Sequence, residues 1–243
     1  MHGYVVEVIC YYQPDIRTSI FLHRLTHINP HLYQIGISLL VGVWWYTHAM
    51  KRLYIIHRWS GNSQEPLLQW IKEQATLKGF EVHIPDMPLT DTPNINNWVT
   101  YIRDVVGYID ENTYFIGHSI GAQAILRYLQ EPDGVDIGGA IFIAPWLTLM
   151  GIDSPIDQDI IRPWLENPID FAKINKLVHS PGRFVSIFSD NDPYVPLVEN
   201  RDAFEKKLQP KVIVEKGKGH FEETDGVTSL PSVVAELERI LLK

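Results

Sequence analysis

Three short stretches hold residue types that together can cleave an acyl bond: Gly117-His118-Ser119-Ile120-Gly121, the run SDNDPYVP (Ser189–Pro196), and the run EKGKGHFEET (Glu215–Thr224). Ser119 stands between two glycines, where an apolar strand-like run gives way to the helix-forming run Ala122–Leu129. In a sharp strand-to-helix turn the central residue is forced into a strained backbone conformation, and the residues two before and two after must be small. Gly117 and Gly121 meet that demand. Such a turn lifts the Ser119 hydroxyl above the strand ends, beside the unpaired N–H groups and positive dipole end of the following helix. The N–H of Ile120 is therefore expected to stabilise an oxyanion on a bound carbonyl.

A serine hydroxyl is a poor nucleophile until a base takes its proton, and the base needs a third group to fix its tautomer. Around a strand-turn-helix serine of this kind the partners follow in the chain order serine, acid, histidine. Asp190 and Asp192 both follow an apolar strand-like run; Asp192 precedes Pro193, which holds the turn, and is preferred as the acid. The competing role for both aspartates is to cap a helix beginning near Pro196. His220 lies in a loop freed by Gly217 and Gly219 and fits as the base. His57 and His118 sit beside strand ends, where a structural hydrogen bond is the usual duty; His83 lies inside a strand, and His179 precedes the acid loop.

These stretches need a scaffold. Runs rich in β-formers occur at Leu53–Ile56, Glu81–Ile84, Thr113–Ile116, Gly139–Ala144, Arg183–Phe188 and Lys211–Val214. Several are nearly continuous in apolar residues, as strands covered on both faces are. Between them lie helical stripes. Leu67, Leu68, Ile71 and Ala75 share one face, closed by Gly79. Ile95, Trp98, Val99, Ile102, Val105 and Val106 follow an Asn94 N-cap. Val233, Val234, Leu237, Ile240 and Leu241 are entered by Pro231. Strand alternating with helix predicts parallel strands with right-handed crossovers, hence an α/β fold with a doubly wound, mostly parallel sheet. The proline-rich interval 146–170 breaks the rhythm and is expected to be a short cap insertion over one end of the sheet.

The 243 residues suffice for one large domain or two small ones, and a formal net charge of −8 with no basic stripe argues against a nucleic-acid partner. Cys10 is the only cysteine, so no internal disulfide forms, and there is no Cys/His cluster of zinc spacing; a reducing, cytoplasmic setting without metal or cofactor is expected. Residues 1–49 differ from the rest. They hold four charged residues (Glu7, Asp15, Arg17, Arg24) and five of the ten histidines. Ile35–Tyr46 is twelve residues with only Ser38 polar, short of the roughly 17–25 that a spanning helix needs. A membrane anchor, a long secretory leader ending near Thr47-His48-Ala49, and an upstream extension compete. Met50-Lys51-Arg52-Leu53 reads like a start running into a first strand. The expectation is that 1–49 is an extension outside the fold, that 50–243 is the folded domain, and that membrane association requires 1–49 to be genuine.

The pieces KRLYIIHRW, GFEVHIPDMP, YFIGHSIGA, SDNDPYVP and GKGHF resemble the small α/β-hydrolases of the retinoblastoma-binding-protein-nine and bacterial YdeN-like type. The resemblance covers about Met50 to Lys243. It implies a compact hydrolase fold with Ser119 as nucleophile, Asp192 as acid, His220 as base, and the N–H of Trp59 as second oxyanion donor. Such proteins usually carry His-Gly where this chain has His57-Arg58. Arg58 then points to solvent, or binds an acidic part of the substrate, or distorts the oxyanion hole. The expected activity is that of a carboxylesterase-like serine hydrolase acting on a small-molecule ester, thioester or amide. The alternative is a hydrolase-fold binding protein with weak or silent catalysis. Trp59, Trp146 and Trp164 are the candidates for an apolar acyl pocket, the competing role being ordinary core packing.

Overall fold

The computed structural model describes residues 9–10, 21–22, 50–178 and 182–242. The chain divides into two compact units, residues 1–49 and residues 50–243. In the first unit, β1 (Ile9–Cys10) and β2 (Phe21–Leu22) pair antiparallel. The apolar run Ile35–Tyr46 and the segment Thr47–Ala49 lie outside the described residues, as does His179. Among the described residues no helix is long and apolar enough to cross a membrane.

The second unit is built on one sheet of six parallel strands: β3 (Lys51–Ile56), β4 (Phe80–His83), β5 (Thr113–His118), β6 (Gly139–Ile143), β7 (Phe184–Ser189) and β8 (Lys211–Glu215). Their order is β4-β3-β5-β6-β7-β8. The chain steps outward from β3 to β4, then reverses and runs across to β8. Right-handed crossovers in opposite directions put their helices on opposite faces of the sheet. Accordingly α1 (Pro66–Leu77) packs with the last helix, α7 (Pro231–Leu241), on one face. On the other face α2 (Ile95–Val106) packs on α3 (Ile120–Leu129), followed by α5 (Phe171–Ile174). Helix α6 (Leu197–Lys207) joins them through Phe204, whose ring meets Phe171 and Phe188. Strands β5, β6 and β7 are buried along their whole length, which is why they read as nearly continuous apolar runs.

Local signals set the helix ends. The Asn94 side chain accepts from the N–H groups of Asn96 and Asn97, at 3.0 and 3.4 Å. Pro231 occupies the first turn of α7, where its missing N–H costs nothing. Gly79 takes φ 83°, the left-handed turn that leads from α1 into β4.

The proline-rich interval is more regular than its sequence suggests. It contains a three-turn helix, α4 (Pro155–Glu166), capped by Ser154 Oγ accepting from Asp157 N at 3.3 Å. Pro155 opens this helix and Pro163 lies in its last turn, so only one intrahelical bond is lost. Buried Arg127 of α3 fastens the insertion to the sheet. Its guanidinium donates to the carbonyls of Trp164 (2.6 Å) and Asn167 (3.0 Å), and it also bonds Gln123 Oε1. Gln123 in turn bonds the Trp146 carbonyl.

Candidate active site

The carboxyl ends of the central strands come level with one another. Ile56 pairs with Gly117, His118 with Ile143, and Ser189 with Glu215. Ser119, Asp192, His220 and the segment after β3 all leave the sheet from this edge, where open α/β sheets bind ligands.

Ser119 sits at φ 53°, ψ −116°, a conformation that L-residues rarely adopt. Two things hold it there. Its N–H donates to Ile143 O at 2.9 Å, and its carbonyl accepts from Ala122 N at 3.0 Å. A Cβ on Gly117 would lie 2.6 Å from the Ala122 backbone, and one on Gly121 would lie 2.3 Å from Ile56 O and 2.6 Å from His57 O. Both glycines therefore serve close approach, and Gly121 brings the start of α3 against the carbonyl end of β3. Ile120 is the first residue of α3, so its N–H has no acceptor within the helix. On the neighbouring loop Ser60 N–H donates to Thr90 O and Gly61 N–H to Arg58 O. The N–H of Trp59 takes part in neither bond.

Asp192 and His220 are brought together. Asp192 Oδ2 lies 2.8 Å from His220 Nδ1, and both residues are buried. A carboxylate only accepts, so the imidazole proton sits on Nδ1 and Nε2 is left to accept. The other carboxylate oxygen, Oδ1, accepts from the N–H groups of Tyr194 (2.9 Å) and Val195 (3.0 Å), which locks the aspartate's orientation. Asp190 does different work: its Oδ1 accepts from Gly217 N at 2.7 Å. Helix α6 begins without a side-chain cap, so neither aspartate caps it.

Further bonds lace the acid and histidine loops together. Asn191 Oδ1 accepts from Gly219 N (2.8 Å), and Ser189 Oγ accepts from Lys218 N (3.0 Å). Asp225 Oδ2 accepts from His220 N (2.8 Å) and Glu222 N (3.1 Å). A Cβ on Gly219 would fall 2.2 Å from the Asp225 carboxyl, which explains glycine there, at φ 52°. Asp225, Asn191 and Tyr194, whose ring stands edge-on to His220 at 5.2 Å, carry no motif. Their only sequence signal is nearness to Asp192 or His220.

His118 ties this assembly to the elbow, the sharp strand-to-helix turn that carries Ser119. Its Nε2 donates to the main-chain carbonyl of His220 at 2.8 Å, and the two rings lie 5.4 Å apart. Burial holds the His118 pKa well below the usual histidine value, with the neighbouring His220 adding to the effect. His57 is fixed by Nδ1–H donating to Arg58 O (2.8 Å) and Nε2 accepting from Met87 N (2.9 Å). Burial lowers its pKa too. Among the described residues the Ser119 hydroxyl makes no hydrogen bond, and Ser119 keeps 8% of its surface exposed.

Two expectations need correction. Trp146 and Trp164 are 1% and 2% exposed, so they are core residues and present no open wall to a substrate. Trp164 packs edge-on against Trp98 and donates its indole N–H to Pro93 O at 3.1 Å. Trp59 alone of the three stays half-buried, with its indole N–H on Asp91 O. Arg58 does not extend freely into solvent: its guanidinium lies between Glu65 (3.0 Å) and Glu222 (3.3 Å). The other charged clusters are ordinary ion pairs, and no group of three or more His, Cys, Asp or Glu able to hold a metal occurs among the described residues.

The family model described as serine hydrolase matches residues 53–239. The chain belongs to the serine hydrolase family. Within the curated relatives, YdeN of Bacillus subtilis is 28% identical over 184 residues, covering 75% of this chain and 92% of YdeN. The serine hydrolase RBBP9 of Rattus norvegicus is 24% identical over 171 residues, covering 70% and 81%. The crystal structure of the B. subtilis ydeN gene product superposes with a TM-score of 0.71 at 26% identity, covering 79% of this chain and all of that one. Est1E from Butyrivibrio proteoclasticus shares the fold, with a TM-score of 0.60 at 19% identity over 79% of this chain and 88% of Est1E. As a serine hydrolase, the chain is an enzyme of the α/β-hydrolase fold, and the elbow, acid loop and histidine loop all fall inside the matched span.

Proposed function

We propose that this serine hydrolase cleaves a small-molecule ester, thioester or amide by two-step acyl transfer. Ser119 is the nucleophile, His220 the general base and Asp192 the residue that fixes the base. His220 Nε2 takes the Ser119 hydroxyl proton as Oγ bonds to the substrate carbonyl carbon. The resulting oxyanion is held by the N–H groups of Ile120 and Trp59. His220 then gives that proton to the leaving group as the carbon–heteroatom bond breaks, leaving an acyl-Ser119. Water, deprotonated by the same nitrogen, releases the acid and restores the serine. The reading covers residues 50–243, and a carboxylester is the favoured substrate class.

The observation that carries it is the 2.8 Å Asp192–His220 pair on a loop that His118, the chain neighbour of Ser119, bonds directly. Completing the relay then requires the Ser119 hydroxyl to meet His220 Nε2; such contacts are often open until substrate binds. Labelling by a fluorophosphonate probe tests the reading. The wild-type protein is expected to label and Ser119→Ala is expected not to. Labelling retained in Ser119→Ala would refute the assignment of the nucleophile.

A further inference from the structure

Arg58 stands where the family resemblance leads one to expect glycine, on the loop that also bears Trp59. Its side chain is about a quarter exposed and meets two carboxylates from different parts of the chain. Nε lies 3.0 Å from Glu65 Oε1, and the NH1 group lies 3.3 Å from Glu222 Oε1 and donates to Trp59 O at 3.0 Å. Glu65 is the residue before α1, and Glu222 is two residues past His220. Between Glu222 and His220 lies buried Phe221, at φ 61°, so this stretch of loop is strained and needs outside support. Pro66, Phe221 and Glu223 line the small cleft beside the guanidinium.

We infer that Arg58 is a positioning residue: a strut that fixes the Trp59 loop and the His220 loop relative to each other. The inference rests on the triad proposed above. One guanidinium holds the carbonyl of Trp59, whose N–H would face the oxyanion, and the carboxylate of Glu222, whose loop presents the imidazole. Arg58 thus couples oxyanion donor and base directly, which a glycine cannot do. Both carboxylates are three-quarters or more buried, so the contact is screened less than a surface ion pair.

The test compares p-nitrophenyl acetate hydrolysis and fluorophosphonate labelling rates in wild type, Arg58→Gln, Glu222→Gln and the double variant. Glu222→Gln leaves Arg58 its Glu65 partner and keeps an amide oxygen to accept from Asp225 N, the cap that Glu222 supplies. A misplacement of about 1 Å costs on the order of 10²-fold in rate. The expectation is a kcat lowered about 10- to 100-fold in Arg58→Gln and about 3- to 10-fold in Glu222→Gln, with KM changed less than about threefold. The double variant should be no slower than Arg58→Gln alone, because both changes break the same link. Independent effects of the two changes, or wild-type kcat in either single variant, would overturn the strut. An unlabelled wild-type protein would instead refute the triad on which the inference stands.

Discussion

His118 Nε2 donates to the main-chain oxygen of His220 across 102 residues of sequence, at 2.8 Å. The residue before the proposed nucleophile thereby holds the loop of the proposed base, so elbow and base cannot drift apart without breaking a buried bond. Removing the donor leaves a buried carbonyl unsatisfied, which costs about 1–3 kcal/mol. His118→Ala should lose that much in urea-monitored unfolding and about tenfold in kcat. His118→Gln can place its amide N–H near the same position and should recover most of the kcat. If His118→Ala hydrolyses p-nitrophenyl acetate at the wild-type rate, the bond does not position the base.

Asp190 and Asp192 sit two residues apart and separate cleanly by partner. Asp192 Oδ1 is committed to two main-chain N–H groups, leaving Oδ2 for the imidazole. In Asp192→Asn the amide oxygen keeps the main-chain bonds and the NH₂ turns toward His220 Nδ1. The imidazole proton is then driven to Nε2, the atom that must accept from Ser119. A drop of about 10⁴-fold in kcat is expected, with little change in stability. Asp190→Asn still accepts from Gly217 N and should stay within about tenfold of wild type. Steady-state kinetics on the two variants, run side by side, decide which carboxylate serves the base; equal losses would reverse the assignment.

The parts of the fold legible in the sequence are those whose cause is local. The six strands announce themselves by runs rich in β-formers, several nearly continuous in apolar residues, Asn94 by its place before an amphipathic stripe, and Ser119 by glycines that close approach demands. The neighbouring Pro193 favours Asp192 over Asp190, and a place at a strand end marks His57 and His118 as structural. What is illegible depends on distant loop ends meeting. Nothing near Arg58 in sequence signals Glu222, and nothing near His118 signals the His220 carbonyl. Helix α4 is hidden because proline reads as a breaker, although Pro155 stands at a helix start and Pro163 near its end. Trp146 and Trp164 mislead because an aromatic in an insertion looks like a pocket wall until its burial is known.

The two structural histidines give the fold a pH dependence with a definite sign. His57 accepts from Met87 N on Nε2, and that bond is lost on protonation. His118 has no partner for its buried Nδ1 among the described residues, so a second proton there would be buried without a partner. Burial is the chief reason both titrate below the ordinary value of 6.5 in the folded chain. Below pH 6.5 the unfolded chain therefore binds protons that the folded chain refuses, and stability falls as pH falls from there toward the folded values. Each histidine contributes a slope of up to about 1.4 kcal/mol per pH unit. Glu65 works the other way: burial raises its carboxyl above 4.5, so its protonation relieves a cost as pH falls. One such group does not offset two histidines in the upper part of the window. Urea midpoints measured from about pH 7.5 to about 5.5 should therefore fall steadily below about 6.5, and more gently in His118→Gln, which cannot take up the proton. A midpoint flat across this range, or one that rises toward its acid end, would show that these two imidazoles are not held neutral by the fold.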